Sequence, residues 1–306
     1  MLVWISHSEG RELLGPLPEG ITVEVAPDGR ALPGDPSGVE FWVPPFDPAA
    51  RRPELLSRMT GLRVIQLLSA GADGWIGVVP PGVALCDARG VHDAPVAEWV
   101  LGATIGSLRR FPQFARAREW ASARYVPTPE LTGARVLLVG AGSIGAAIER
   151  RMAPFDVKIT KVARTARPAE GVRDVTALPD LLPHADVVVL LVPLTAGTRG
   201  LVDAAFLAAM PDGALLVNAA RGPVVDTGAL VAELSSGRLS AALDVTDPEP
   251  LPPDHPLWDL PNVFLTPHTG GAVDGFPARA YAAAGDQLRR FAAGEPLINL
   301  VGPEGY

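Results

Sequence analysis

The chain has 306 residues, 48% of them hydrophobic, with a formal net charge of -8 and one cysteine, Cys86. Its length implies about two domains with ample apolar cores, and its acidic balance argues against nonspecific binding to nucleic acid or anionic membranes. A lone cysteine rules out an intrachain disulfide and fits a reducing, cytoplasmic setting; no signal peptide is read at the N-terminus, and no apolar run reaches the roughly 18 residues of a membrane helix.

Short apolar runs separated by Pro/Gly-rich turns open the chain, at residues 2–5, 21–25, 41–43, 62–67 and 83–85. Their spacing predicts a small parallel α/β unit. A helix is expected over 94–108, with Val96, Trp99, Val100, Ala103 and Ser107 on one face. A second α/β series follows: strands at 135–139, 157–162 and 186–192, a helix at 144–152 and a short one at 178–182. Three further strands, 214–217, 241–243 and 263–265, complete a sheet of about six. Strands alternating with helices predict doubly wound parallel sheets. An Ala-rich helix over 278–293 closes the chain.

The strand at 135–139 runs into Gly140-Ala-Gly142-Ser143-Ile144-Gly145 and then a helix. In G-x-G-x-x-G the first Gly makes the tight turn, the second admits a pyrophosphate, and the third lets helix and strand pack closely. The helix N-terminus at Ser143 offers N–H groups and a positive dipole end to phosphates. The motif is weak alone; the flanking strand and helix supply its context. The next strand usually ends in Asp or Glu for a ribose 2′-hydroxyl. Here that place is Ala163, followed by Arg164-Thr165-Ala-Arg167. With no carboxylate to repel a 2′-phosphate, Arg164 is expected to pair with it and Thr165 to donate a hydrogen bond, Arg167 being the second candidate cation. This favours NADP(H), with NAD(H) still possible; the alternative is a solvated surface turn.

The last three strands each end in a chemically pointed segment: Asn218-Ala219-Ala-Arg221-Gly222, Asp244-Val-Thr-Asp-Pro-Glu249-Pro, and Thr266-Pro-His268-Thr-Gly270. One cation, one carboxylate and one imidazole thus sit past successive strand ends, where open parallel sheets bind ligands. A carbonyl reduction needs such a set: an anion clamp, a proton donor and a carboxylate that favours the donor's charged form. His92 and Asp93 are adjacent but lack a third ligand, so no metal site is expected.

With these segments in hand, the chain resembles the D-isomer-specific 2-hydroxyacid dehydrogenases, and within them the NADPH-dependent glyoxylate/hydroxypyruvate reductases. Leu67-Leu-Ser69-Ala70-Gly71-Ala-Asp73, Ala88-Arg-Gly90 with Val96-Ala-Glu98, and Val192-Pro193-Leu-Thr195 join the motifs above, so that the likeness spans nearly the whole chain. It implies two Rossmann-like or flavodoxin-like domains with the active site in the cleft between them. Residues 1–93 plus 277–306 would bind substrate, and 94–276 the dinucleotide. It implies that Arg221, Glu249 and His268 are catalytic, with His268 the acid/base and Glu249 its partner. Substrate would meet Ser69, Ala70, Gly71, Arg221 and His268. Cofactor would meet the glycine loop, Val192, Pro193, Thr198, Ala219, Arg221, His268 and Gly270, with Asp244 at the nicotinamide carboxamide. A small 2-keto or 2-hydroxy acid substrate and a homodimer are further implications. Two places depart from the pattern: Asp87, where many relatives have Asn, and the 271–277 stretch, which makes substrate preference less transferable than reaction type. Two other functions stay open, a non-catalytic dinucleotide-sensing regulator and oxidation of a different small anion such as phosphite. Glu249 argues against formate oxidation, whose enzymes usually carry Gln there.

Overall fold

The computed structural model describes residues 1–27, 32–46, 53–120 and 127–302. The chain divides into two compact units, Met1–His92 with Asp274–Tyr306, and Asp93–Val273.

In the first unit β1 (Leu2–Ile5), β2 (Thr22–Val25), β3 (Val39–Val43), β4 (Val64–Gln66) and β5 (Ala84–Cys86) form a sheet in the order β2-β1-β3-β4-β5, every pair parallel. Parallel sheets are covered on both faces, so their strands read as unbroken apolar runs. Period-two alternation then divides each run. Val3, Ile5, Phe41 and Val43 pack with Tyr281 and Leu288, while Trp4, Trp42 and Ile65 pack with Leu55 and Trp75. The helix Phe276–Ala293 buries Ala280, Ala284 and Leu288, one stripe at four-residue spacing.

The second unit holds β6 (Arg135–Val139), β7 (Lys158–Ala163), β8 (Val172–Asp174), β9 (Val187–Leu190), β10 (Leu215–Asn218), β11 (Ser240–Leu243) and β12 (Val263–Leu265). These lie in the order β12-β11-β10-β9-β6-β7-β8, again all parallel. The sheet has seven strands rather than about six. The added one, β8, is a three-residue edge strand, Val172-Arg173-Asp174, with too little apolar character to register in the sequence.

The helix Asp93–Leu108 buries Pro95, Ala97, Val100, Ala103, Thr104, Gly106 and Leu108. Of the expected face only Val100 and Ala103 are buried, with Val96, Trp99 and Ser107 half-buried, because the helix is wedged between the helix Ser143–Met152 and strands β10 and β11 and buries residues around more of its circumference. Strand order reverses between β6 and β9, and this switch point opens the crevice at their carboxyl ends. At the opposite, amino rim, Asp186 accepts bonds from the Arg135 backbone N–H and guanidinium at 2.8 and 2.6 Å. Both lysines lie on β7: Lys158 is its exposed first residue, and Lys161 pairs with Glu149 at 2.8 Å. Among the described residues no helix is long and apolar enough to cross a membrane.

Candidate active site

The glycine loop sits at the carboxyl end of β6, beside the switch point. Gly140 has φ +117°, and a Cβ there would lie 2.8 Å from the Leu191 backbone at the end of β9. Gly145 is pressed on the Gly140 carbonyl, which a Cβ would approach to 3.0 Å. Gly142 differs from both: a Cβ there would meet nothing within 4 Å. Protein packing therefore does not explain the second glycine, the position at which the dinucleotide-binding motif leaves room for a pyrophosphate. The helix Ser143–Met152 starts at once, with Ile144 in its first turn. The Ser143 hydroxyl donates to Asp93 Oδ1 at 2.8 Å. Burial pushes the Asp93 carboxyl above the usual carboxylate range, an effect the Ser143 bond opposes.

Arg164 and Thr165 follow the last residue of β7 and are exposed. Arg164 has no hydrogen-bond or ion-pair partner among the described residues. Arg167 is placed differently: its Nη2 donates to the Ala141 carbonyl at 2.6 Å and its Nε to Glu170 Oε2 at 2.9 Å. Past β9, Thr198 Oγ1 accepts from the Thr195 N–H at 2.8 Å and donates to the Pro193 carbonyl at 2.6 Å, closing the turn after Val192.

The three pointed segments meet at neighbouring strand ends. The Asp244 N–H donates to the Asn218 carbonyl at 3.0 Å, and the His268 N–H to the Asp244 carbonyl at 2.7 Å. These bonds stitch β10, β11 and β12 together at and just past their carboxyl ends. Arg221 follows β10 in extended conformation, with Nη1 donating to the Ala220 carbonyl at 2.7 Å. Asn218 fixes this turn: its Oδ1 accepts from the Ala220 N–H, adjoining Ala219, and its Nδ2 donates to the Arg221 carbonyl. Gly222 lies against the Thr246 backbone so closely that no Cβ fits. The segment after Arg221 is thereby seated on the one leading to Glu249. Two threonines hold that second segment: Thr227 donates to the Asp247 carbonyl at 2.6 Å and Thr246 to the Pro248 carbonyl at 2.9 Å.

Glu249 Oε1 lies 2.7 Å from His268 Nδ1, the two side chains 43% and 48% exposed. With Nδ1 committed to the carboxylate, Nε2 is the nitrogen left to exchange a proton with a substrate. His268 has φ +55°, an uncommon conformation for a residue with a Cβ. Asp244 holds it there. Its carboxylate accepts from Thr266 Oγ1 at 2.6 Å, the Thr269 N–H at 2.8 Å and the buried Gly270 N–H at 2.8 Å. Trp99 Nε1 donates to Thr266 Oγ1 at 3.0 Å, tying the Asp93–Leu108 helix to the same turn. Sequence reading did not find these supports, Trp99, Thr227, Thr246 and Thr266, because nothing in their spacing marks them.

In the first unit the expected carboxylate loop follows β4. Ser69 Oγ donates to the Gly71 carbonyl at 3.1 Å, and the Ala88 N–H to the Ser69 carbonyl at 2.8 Å; Ala70 lies between them, half-buried. Asp87 is buried just past β5 and accepts from the Arg89 backbone and guanidinium at 2.9 and 3.1 Å. Burial still holds its carboxyl above the usual range.

Residues 100–270 match the family model for the D-isomer specific 2-hydroxyacid dehydrogenase NAD binding domain. A glyoxylate reductase of Thermofilum pendens is 36% identical over 265 residues, 82% of this chain and 78% of that protein. Glyoxylate/hydroxypyruvate reductase B of Citrobacter koseri is also 36% identical, covering 82% and 81% of the two chains. Among solved structures, the NADPH-dependent glyoxylate/hydroxypyruvate reductase of Sinorhizobium meliloti, in complex with NADP and sulfate, is similar with a TM-score of 0.84 at 30% identity, covering 100% of this chain and 99% of its own. A D-isomer specific 2-hydroxyacid dehydrogenase of Xanthobacter autotrophicus, in complex with NADPH and MES, gives 0.83 at 33% identity, with 99% and 98% coverage. The chain belongs to the D-isomer-specific 2-hydroxyacid dehydrogenase family.

Proposed function

We propose that the protein reduces a small 2-keto acid of the glyoxylate or hydroxypyruvate type to the D-2-hydroxy acid, with NADPH preferred over NADH. The observation that carries this reading is the 2.7 Å bond between Glu249 and His268 Nδ1. An imidazole so held has its other nitrogen ready to protonate a carbonyl oxygen. The glycine loop, with its open face at Gly142, fits a dinucleotide, and Arg164 is a cation available to a 2′-phosphate.

The cofactor, when bound, supplies the hydride. His268 gives its proton to the carbonyl oxygen as that oxygen gains charge. Glu249 steadies the resulting changes in imidazole charge and fixes the ring's orientation. Arg221 holds the substrate carboxylate with its planar fork and polarises the carbonyl. Ser69, Ala70 and Gly71 contribute backbone groups to substrate binding. The nearness of relatives named as glyoxylate or hydroxypyruvate reductases supports the substrate class, and the NADP-bound neighbours support the cofactor. A homodimer is the expected assembly, checked by sedimentation.

The test is the initial rate of NADPH and, separately, NADH oxidation with glyoxylate, hydroxypyruvate, pyruvate and phenylpyruvate. Faster turnover with NADPH, abolished in His268→Gln and in Arg221→Ala, is expected. Wild-type turnover in either variant refutes its catalytic role. Tight cofactor binding without turnover on any keto acid points instead to a dinucleotide sensor.

A further inference from the structure

We infer that Arg167 is a positioning residue for the glycine loop, serving NADH and NADPH alike, and not a second cation for a 2′-phosphate. The inference rests on the dinucleotide-binding reading above. Two bonds join the glycine loop to the end of β7 and the turn that follows it. The Gly140 N–H donates to the Val162 carbonyl at 2.9 Å, and Arg167 Nη2 to the Ala141 carbonyl at 2.6 Å. The first two residues of the loop are thus gripped by residues 162 and 167, with Arg164 and Thr165 between the grips.

Arg167 is itself fixed. Its backbone N–H donates to the Val172 carbonyl at 2.9 Å, and its carbonyl accepts from the Val172 and Glu170 N–H groups at 3.1 and 2.9 Å. Pro168 follows it, and Glu170 holds its Nε. A guanidinium paired with a carboxylate and directed onto a carbonyl by its Nη2 is oriented toward the loop, whereas Arg164 makes no such bonds among the described residues. What it does offer is direction. A trans peptide points its C=O and N–H to opposite sides. Holding the Ala141 carbonyl therefore sets where the Gly142 N–H points, at the open glycine where a pyrophosphate would approach.

The experiment measures Kd for NADPH and NADH by fluorescence titration, with steady-state constants and apo Tm, in wild type, Arg167→Ala, Arg167→Lys and Arg164→Ala. For Arg167→Ala both Kd values are expected to rise together, by about tenfold for one charge-assisted bond, and KM to rise far more than kcat falls. Arg167→Lys, which donates one bond but lacks the fork, is expected to fall between and remains informative should the Ala variant fold poorly. A loss confined to NADPH overturns the inference in favour of a 2′-phosphate cation; unchanged Kd for both overturns it in favour of a surface staple. Arg164→Ala tests the cofactor preference separately. If it leaves the NADPH-to-NADH ratio unchanged while Arg167→Ala weakens both cofactors, the preference fails and the positioning role stands.

Discussion

Replacing Asp244 by Ala removes the acceptor that holds three donors of the Thr266–Gly270 turn: Thr266 Oγ1, the Thr269 N–H and the Gly270 N–H. The three losses are unequal. The Gly270 N–H is buried, and leaving it unsatisfied costs about 1–3 kcal/mol. The Thr269 N–H belongs to an exposed residue and re-solvates, so its loss is the net value of an ordinary bond, about 1 kcal/mol. The Thr266 hydroxyl can rotate toward water, so it adds little. The sum is about 2–4 kcal/mol, or roughly 5–15 °C in Tm for a unit of this size. His268 stands in the left-handed region at φ +55°, and the clamp is what keeps it there. Without it the imidazole moves relative to Glu249, and a misplacement of about 1 Å costs on the order of 100-fold in rate. Circular dichroism melting and kcat with saturating substrates make the assay. Asp244→Asn, which retains one acceptor oxygen, is expected to lie between. An Asp244→Ala protein with unchanged Tm and kcat within about twofold of wild type would refute the clamp.

Gly142→Ala is expected to fold with unchanged Tm, since the added methyl meets nothing within 4 Å, yet to bind dinucleotides at least about tenfold more weakly because the methyl stands in the pyrophosphate's approach; equal affinity for NADPH in titration would contradict the placement of the phosphates. Acid stability is expected to depend on Asp186. The hydrogen bond from Arg135 holds its carboxyl below the usual carboxylate range, so its contribution is full above the unfolded value of about 3.9 and is lost as pH falls through the lower folded value. Urea unfolding of wild type and Asp186→Asn across pH should show a stability gap that closes on acidification; a gap independent of pH would count against the linkage.

Much of this architecture was legible because its signals are local. The β6–glycine loop–helix unit declares itself through one apolar run and three glycines, and β12 falls where its apolar triplet does. The candidate site residues also stood out, since Arg221, Glu249 and His268 each follow an apolar strand. The strand β8 did not, because an edge strand of Val-Arg-Asp draws its stability from pairing with β7 rather than from its own residues. The supports of the site were equally hidden. Trp99 and Thr266 are 167 residues apart, and Arg167 reaches Ala141 across 26. Such bonds follow from strand order, which pairs residues that have no relation in the chain. Asp244 shows the same limit: the family resemblance implied a cofactor contact for it, and the three protein donors on its carboxylate appear only once the turn after β12 is folded beside it.

The scarcity of lysine has a practical outcome for handling the protein. Both ε-amines belong to β7, and Lys161 is engaged by Glu149 while Lys158 is exposed at the strand's first residue. Amine-reactive dyes and activated sensor surfaces therefore find, besides the terminal amine of Met1, essentially one anchoring point. That point lies at the opposite end of β7 from Ala163 and Arg164, so tethering through Lys158 leaves the glycine loop's end of the strand directed away from the attachment.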